Sequence, residues 1–242
     1  RVILAPDNSG IIIQIMRQDT GNNDLTGVEN TGVLKARGGH VTAAAGDFYS
    51  MAMDIEGTIV AEDIRIEGGD DSIVRVAGTL NASGNSNNNN KGGYIQVTGE
   101  KVWLDNGARL NATGKRGGGE ILVGGDYQGK NNNVRNAWRT HVAQDVVLNA
   151  SATQAGDGGK IIVWSDDFTN YYGSIKARGA GYKGDGGFAE VSGKRSLGFH
   201  GKVRLSSSQG GKRGTLLLDP TDITITNNSQ GTTITVVGGV FE

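Results

Sequence analysis

The chain alternates apolar and polar positions in short bursts, most of them opened by a pair of glycines. Gly38-Gly39 precedes His-Val-Thr-Ala, Gly92-Gly93 precedes Tyr-Ile-Gln-Val, and Gly118-Gly119 precedes Glu-Ile-Leu-Val. Gly158-Gly159 then precedes Lys-Ile-Ile-Val, Gly186-Gly187 precedes Phe-Ala-Glu-Val, and Arg213-Gly214 precedes Thr-Leu-Leu-Leu. The second and fourth residues after each pair are apolar every time: Val41/Ala43, Ile95/Val97, Ile121/Val123, Ile161/Val163, Ala189/Val191 and Leu216/Leu218. Successive side chains of a strand point to opposite faces, so the pattern predicts short strands with one buried face. The residue between them is mixed (Thr42, Gln96, Leu122, Ile162, Glu190, Leu217), and the outward Leu122, Ile162 and Leu217 point to patches covered by loops or partners.

The bursts recur at a spacing. From one second glycine to the next the steps are 54, 26, 40, 28 and 27 residues. One unit near 27 residues explains them if the first step holds two units and the 40-residue step carries an insertion around 126–140 that includes Lys130 to Asn136. A second column keeps the same register: Leu34-Lys-Ala, Leu80-Asn-Ala, Leu110-Asn-Ala, Leu148-Asn-Ala, Ile175-Lys-Ala and Val203-Arg-Leu. Strands one unit apart can lie parallel and in register, each pairing with the rungs above and below. The expected fold is all-β, a right-handed parallel β-helix (solenoid) with a coil period near 27 residues. It occupies 1–242 as one segment with a strand-like end at 215–242. A β-sandwich does not require homologous columns, and a propeller blade needs 40–50 residues, which only one step matches.

Composition narrows the function. A formal net charge of -1 supplies no bulk attraction to nucleic acid, so no specific nucleic-acid partner is expected. No apolar run approaches the roughly 18 residues of a membrane span, and no membrane insertion is expected. The absence of Cys excludes disulfides and thiolate metal sites. The chain begins at Arg1 in mid-pattern, as a piece of a longer or processed protein would.

Chemical motifs are sparse. Gly179-Ala-Gly-Tyr-Lys-Gly184 matches a dinucleotide fingerprint, but a strand follows it where a helix N-terminus is needed, so it reads as a corner loop. His40, His141 and His200 are isolated along the chain. Asp157 and Asp185 sit one unit apart in Gly-Asp-Gly-Gly corners and read as turn carboxylates more readily than as a Ca²⁺ site. The Lys-Arg pairs at 115, 194 and 212 read as solvated corners. The Asn-x-Ser/Thr triplets at Asn81, Asn111 and Asn149 are a by-product of the repeat. The richest neighbourhood is Trp164, Asp166, Asp167, Phe168, Tyr171 and Tyr172. It offers acids and aromatics for a glycan contact, against the plainer reading of a loop closed by its own aromatics. No catalytic residue, cofactor or metal is assigned.

The repeat also carries recognisable wording: Gly117-Gly-Gly-Glu-Ile-Leu-Val-Gly-Gly-Asp, Ile162-Val-Trp-Ser-Asp-Asp, Tyr172-Gly-Ser-Ile-Lys-Ala-Arg-Gly, and Gly214-Thr-Leu-Leu-Leu-Asp-Pro-Thr-Asp. Over roughly residues 30–226 it resembles the two-partner secretion exoproteins, the filamentous-haemagglutinin-like adhesins, in the β-helical stalk that follows their secretion domain. The secretion domain's Asn-Pro-Asn-Gly-type signature is absent. The resemblance implies export through an outer-membrane partner barrel and residence in the medium or at the surface of a double-membraned bacterium. It also implies a structural or adhesive, non-catalytic role, in biofilm for example.

Two other functions compete. One is a self-assembling extracellular filament, in which Thr233-Ile-Thr-Val-Val of one copy pairs end to end with the strand near Ile11 to Ile15 of another. The other is a protein that binds or degrades host or matrix glycans on the same scaffold.

Overall fold

The computed structural model describes residues 2–4, 10–15, 26–46, 51–84, 89–219 and 222–223. Thr233 to Val237, proposed for end-to-end pairing, and most of the strand-like end at 215–242 lie outside the described residues.

In chain order the strands are β1 Val2–Leu4, β2 Gly10–Ile15, β3 Thr26–Asn30, β4 Val33–Ala45, β5 Met51–Ile55, β6 Thr58–Gly68, β7 Ile73–Val76 and β8 Thr79–Asn81. They continue with β9 Tyr94–Thr98, β10 Lys101–Leu104, β11 Arg109–Asn111, β12 Glu120–Val123, β13 Arg139–Val142, β14 Val147–Asn149 and β15 Lys160–Ser165. The last seven are β16 Phe168–Tyr171, β17 Ser174–Lys176, β18 Phe188–Gly193, β19 Ser196–Phe199, β20 Lys202–Arg204, β21 Thr215–Leu217 and β22 Asp222–Ile223. A single 3-10 turn at Tyr127–Gly129 is the one helical element among the described residues.

The architecture is all-β with parallel strands. From β7 onward the chain visits three ladders in turn. One ladder stacks β8, β11, β14, β17 and β20; a second stacks β9, β12, β15, β18 and β21; the third stacks β7, β10, β13, β16, β19 and β22. The two glycine-linked columns read from the sequence are the first two ladders. Leu80, Leu110, Leu148, Ile175 and Val203 are consecutive partners. So are Ile95, Ile121, Ile161, Ala189 and Leu216. The third ladder carries no such signal, because its inward pairs (Val74/Val76, Val102/Leu104, Thr140/Val142, Thr169/Tyr171) do not directly follow a glycine pair.

Along the second ladder Val41 pairs with Ile64 and Ile64 with Ile95, so the 54-residue step holds an extra rung. That rung opens with Ala61-Glu62 in place of two glycines. The 40-residue step from Ile121 to Ile161 carries the segment 124–138 between β12 and β13.

Inward side chains of all three ladders share one core, in which Ile59, Ile64, Leu80, Leu104, Leu110, Ile121, Val163 and Tyr171 are fully buried. Burying a Val, Leu or Ile in such a strip is worth about 1.5–3 kcal/mol, so stacking like on like over many rungs holds together a chain with few aromatics. At the corner after the first ladder, the Oδ1 atoms of Asn81, Asn111 and Asn149 accept the N–H two residues on, from Ser83, Thr113 and Ser151. Those side chains are thus committed to Asx turns.

At the other end, β1 pairs antiparallel with β2 from Val2/Ile13 to Leu4/Ile11, while the opposite edge of β2 pairs with β4. Both edges of Ile11–Ile13 are therefore occupied. The pairing expected near Ile11 to Ile15 is corrected to that extent: over Ile11–Ile13 no edge is open to a second copy.

Candidate functional site

The six residues of the richest neighbourhood surround the turn between β15 and β16, and alternation disperses them. Trp164 is buried against Leu122, Val134 and Ile162 in a small second core. Its Nε1–H donates to Asp166 Oδ1 at 3.1 Å, and Asn136 Nδ2 donates to the same oxygen at 3.2 Å. Asp167 points the other way and is 1% exposed. Arg139 Nε donates to its Oδ2 at 2.7 Å. Arg195 Nε lies 2.9 Å from Oδ1 without the alignment of a hydrogen bond, so that contact is electrostatic.

Phe168 is exposed beside them. Tyr171 is fully buried in the main core and stacks on Phe199, 5.6 Å between centroids and 9° between planes. Tyr172 is exposed and stacks on His200, with centroids 4.9 Å apart. Trp164, Asp167 and Tyr171 offer no face to a sugar, and Phe168 and Tyr172 belong to separate surface columns. The expected six-residue glycan contact is corrected accordingly: the residues do not converge.

Burial pushes the Tyr171 phenol well above its ordinary pKa, and its hydroxyl has no hydrogen-bond partner among the described residues. An unpaired buried hydroxyl costs free energy that a phenyl ring does not. Tyr171→Phe is therefore expected to be neutral or to stabilise by up to about 1 kcal/mol, whereas Tyr171→Ala should lose about 3–5 kcal/mol. Urea midpoints of the two variants check this; a loss above 1 kcal/mol for the phenylalanine variant contradicts the assignment.

What the six-residue reading missed is the segment 124–138. It lies over the outward face of the second ladder and gives Leu122 and Ile162 the cover their sequence positions called for. Val134 packs on them, and Gly129 sits so close to the Trp164 indole that a Cβ there would lie 2.6 Å from its ring atoms. Asp126 accepts from its own neighbour Tyr127 N–H (2.7 Å), from Asn131 Nδ2 (2.8 Å) and from Lys160 Nζ (2.6 Å). Burial alone would raise its carboxyl pKa, but these donors hold it below the usual range. Arg135 reaches back to Asp70 and Glu100.

Under this cover lies Glu190, fully buried, its carboxylate accepting the Gln128 N–H at 3.1 Å. Burial raises its pKa, partly opposed by the bonds from Gln128 and Ser192. Folded Glu190 thus holds its proton more tightly than the unfolded chain does. Its contribution to stability is whole below the ordinary glutamate pKa and is lost as pH rises through the folded value. Glu190→Gln removes that titration. The stability of the variant relative to the native chain is expected to increase between about pH 4 and pH 7; a pH-independent difference in urea midpoints would rule the assignment out.

His141 lies between Trp103 and Tyr172 in edge and tilted contacts. Asp157 Oδ1 accepts Asp185 N–H, and Asp185 Oδ1 accepts Lys212 N–H, both at 2.7 Å, so these carboxylates tie successive corners together. No group of three metal-ligating side chains is present among the described residues.

No family model matches the sequence, and no curated protein matches it. Among solved structures the chain is similar to the secretion domain of HMW1 from Haemophilus influenzae, with 28% identity and a TM-score of 0.57. The match covers 79% of this chain and 49% of that one, so the chain spans about half the length of the structure it matches. The likeness is to a secretion domain, whereas the sequence resemblance pointed to a stalk that follows one.

Proposed function

We propose that the chain is a rigid, non-catalytic segment of a two-partner secretion exoprotein, exported through an outer-membrane partner barrel to the surface of a double-membraned bacterium or into the medium. In this reading it is a right-handed parallel β-helix with a coil near 27 residues, of the filamentous-haemagglutinin-like kind, continuing into a stalk with an adhesive role. The observation that carries the reading is the similarity to the HMW1 secretion domain over most of the chain. Three ladders visited in turn, with partners 26 to 28 residues apart at Ile95/Ile121, Ile161/Ala189 and Ala189/Leu216, support the winding. A chain stabilised by rung-on-rung stacking and free of Cys can pass a pore unfolded and gain its stability coil by coil outside.

Two features favour a passive role over a glycan-degrading one. Glu190, an acid in an outward strand position of the second ladder, is buried beneath 124–138, Glu120 is paired with Lys160, and Asp167 is neutralised by two arginines.

The test uses the bacterium that makes the protein. With the partner barrel deleted, antibody to this chain should find it in the periplasm and no longer in the medium or on the cell surface. Unchanged extracellular levels would overturn the export reading.

A further inference from the structure

The corner where each coil enters the second ladder leaves a row of hydrogen-bond acceptors unused. At this corner the N–H of the second glycine turns to its own coil: Gly119 donates to Ala112 O at 2.8 Å, Gly159 to Ala150 O at 2.7 Å, and Gly187 to Ala177 O at 2.8 Å. The first glycine's N–H goes to the next coil, as in Gly118 to Asp157 O and Gly158 to Asp185 O, both at 2.9 Å. The carbonyls of Gly92, Gly118, Gly158 and Gly186 therefore accept nothing from any described residue.

These four glycines come from successive coils and are partly exposed. They span about 14 Å at the strand spacing of a sheet. All four line one open groove of about 920 Å³. Tyr94, Glu120 and Phe188 line it from one strand column, with Arg65 over the Tyr94 ring at 4.9 Å and Tyr127 edge-on to Phe188 at 5.8 Å; Asp157 and Asp185 also line it, each with Oδ1 accepting an N–H from the next corner. Lys160, in the middle, is held by Glu120 at 2.8 Å and Asp126 at 2.6 Å; Lys212 and Arg213 stand at one end.

The groove is thus rich in acceptors, poor in donors and without a free cation at its centre. An acidic polymer would meet carboxylates and unpaired carbonyls. An extended peptide presents as many carbonyls as N–H groups and would leave half of them facing acceptors, at the cost of unpaired polar groups. A chain of neutral sugars presents a hydroxyl donor on each ring, apolar C–H faces for the sides of Tyr94 and Phe188 that Arg65, Tyr127 and the second core leave open, and a repeat comparable to the rung spacing. We propose that this groove binds a neutral linear polysaccharide along the stacking axis, its hydroxyls donating to the glycine carbonyls.

The experiment is a titration of the isotopically labelled chain with cellohexaose and with chitohexaose, reading carbonyl ¹³C shifts. The carbonyls of Gly92, Gly118, Gly158 and Gly186 are expected to shift together, those of the Asn81 and Asn111 corners to stay fixed, and the matching disaccharide to bind at least about tenfold more weakly. Glu120→Trp, which fills the middle of the groove, should weaken the hexasaccharide by about tenfold or more with the thermal midpoint retained. Spermine, a heparin hexasaccharide and an extended alanine-serine peptide serve as competitors. If neither neutral hexasaccharide moves the four carbonyls, or if spermine or the peptide moves them where the hexasaccharides do not, the proposal fails. The native-chain titration decides the question even if the tryptophan variant does not fold.

Discussion

Alanine at position 159 is expected to destabilise the chain by about 4 kcal/mol or more, in the range that marks a specific steric failure. Gly159 is not in the left-handed region, so backbone strain is not the reason. Space is: a Cβ there would fall on the carbonyl oxygen of Gly119 one coil below, well inside van der Waals contact, with backbone carbons of Gly118 and Gly119 at 2.9 Å. Backbone held by ladders on both sides cannot move aside without breaking the rungs. The same column repeats the contact at Gly93 on Glu62, Gly119 on Gly93, Gly187 on Gly159 and Gly214 on Gly187. Two controls separate space from conformation. Gly32→Ala, with nothing within 4 Å of its Cβ, should change stability by less than about 0.5 kcal/mol. Gly107→Ala, at φ +92 with its nearest atom at 3.7 Å, should cost about 1–2 kcal/mol from conformation alone. Urea midpoints in that order support the close-approach account; equal losses at 107 and 159 would refute it.

Removing the charge from both arginines around Asp167 is expected to cost about 3 kcal/mol, more than removing the carboxylate itself. Methionine at 139 and 195 keeps much of the apolar stem that shields the site and deletes only the guanidinium. The Asp167 carboxylate, 1% exposed, then has no counter-charge, whereas Asp167→Asn leaves two arginines that are 58% and 74% exposed and remain hydrated. Asp167→Asn made on top of the double methionine variant should recover most of the loss, because the buried charge is gone. Stability of the four variants at pH 7 forms the cycle. If Asp167→Asn alone costs more than the double arginine change, the cavity geometry and not the charge holds this turn.

The inward columns were readable because period-2 alternation and an aliphatic at a fixed distance from a glycine pair leave little choice of face. Ile95, Ile121 and Ile161 stack as their spacing required. The extra rung at Ile64 carries no glycine signal because Ala61-Glu62 replaces the pair, although its alternation (Ile64, Ile66) is intact. The third ladder lacks that signal as well. Glycine serves two ends in these pairs: at Gly38 it supplies a positive φ, 70, and at Gly159 it permits the close approach of two backbone segments.

The candidate site was the least readable part. Trp164, Asp167 and Tyr171 are close in sequence, and a turn between strands suggested one surface. Side-chain alternation across β15 and β16 instead sends Trp164 beneath the segment 124–138 and Tyr171 into the core. The outward Leu122 and Ile162 did announce that something covers them, but not what.

Residue order alone settled which side chains of the two glycine-linked columns enter the dry strip and which of them become strand partners, because both depend on local alternation and on repetition along the chain. Which carboxylate is buried beside which arginine, where 124–138 comes to rest, and which glycine carbonyls remain unpaired arise only when coils distant in sequence are laid against each other. Those contacts join residues some 24 to 62 positions apart, as between Thr140 and Trp164 or Gln128 and Glu190, and no local pattern specifies them.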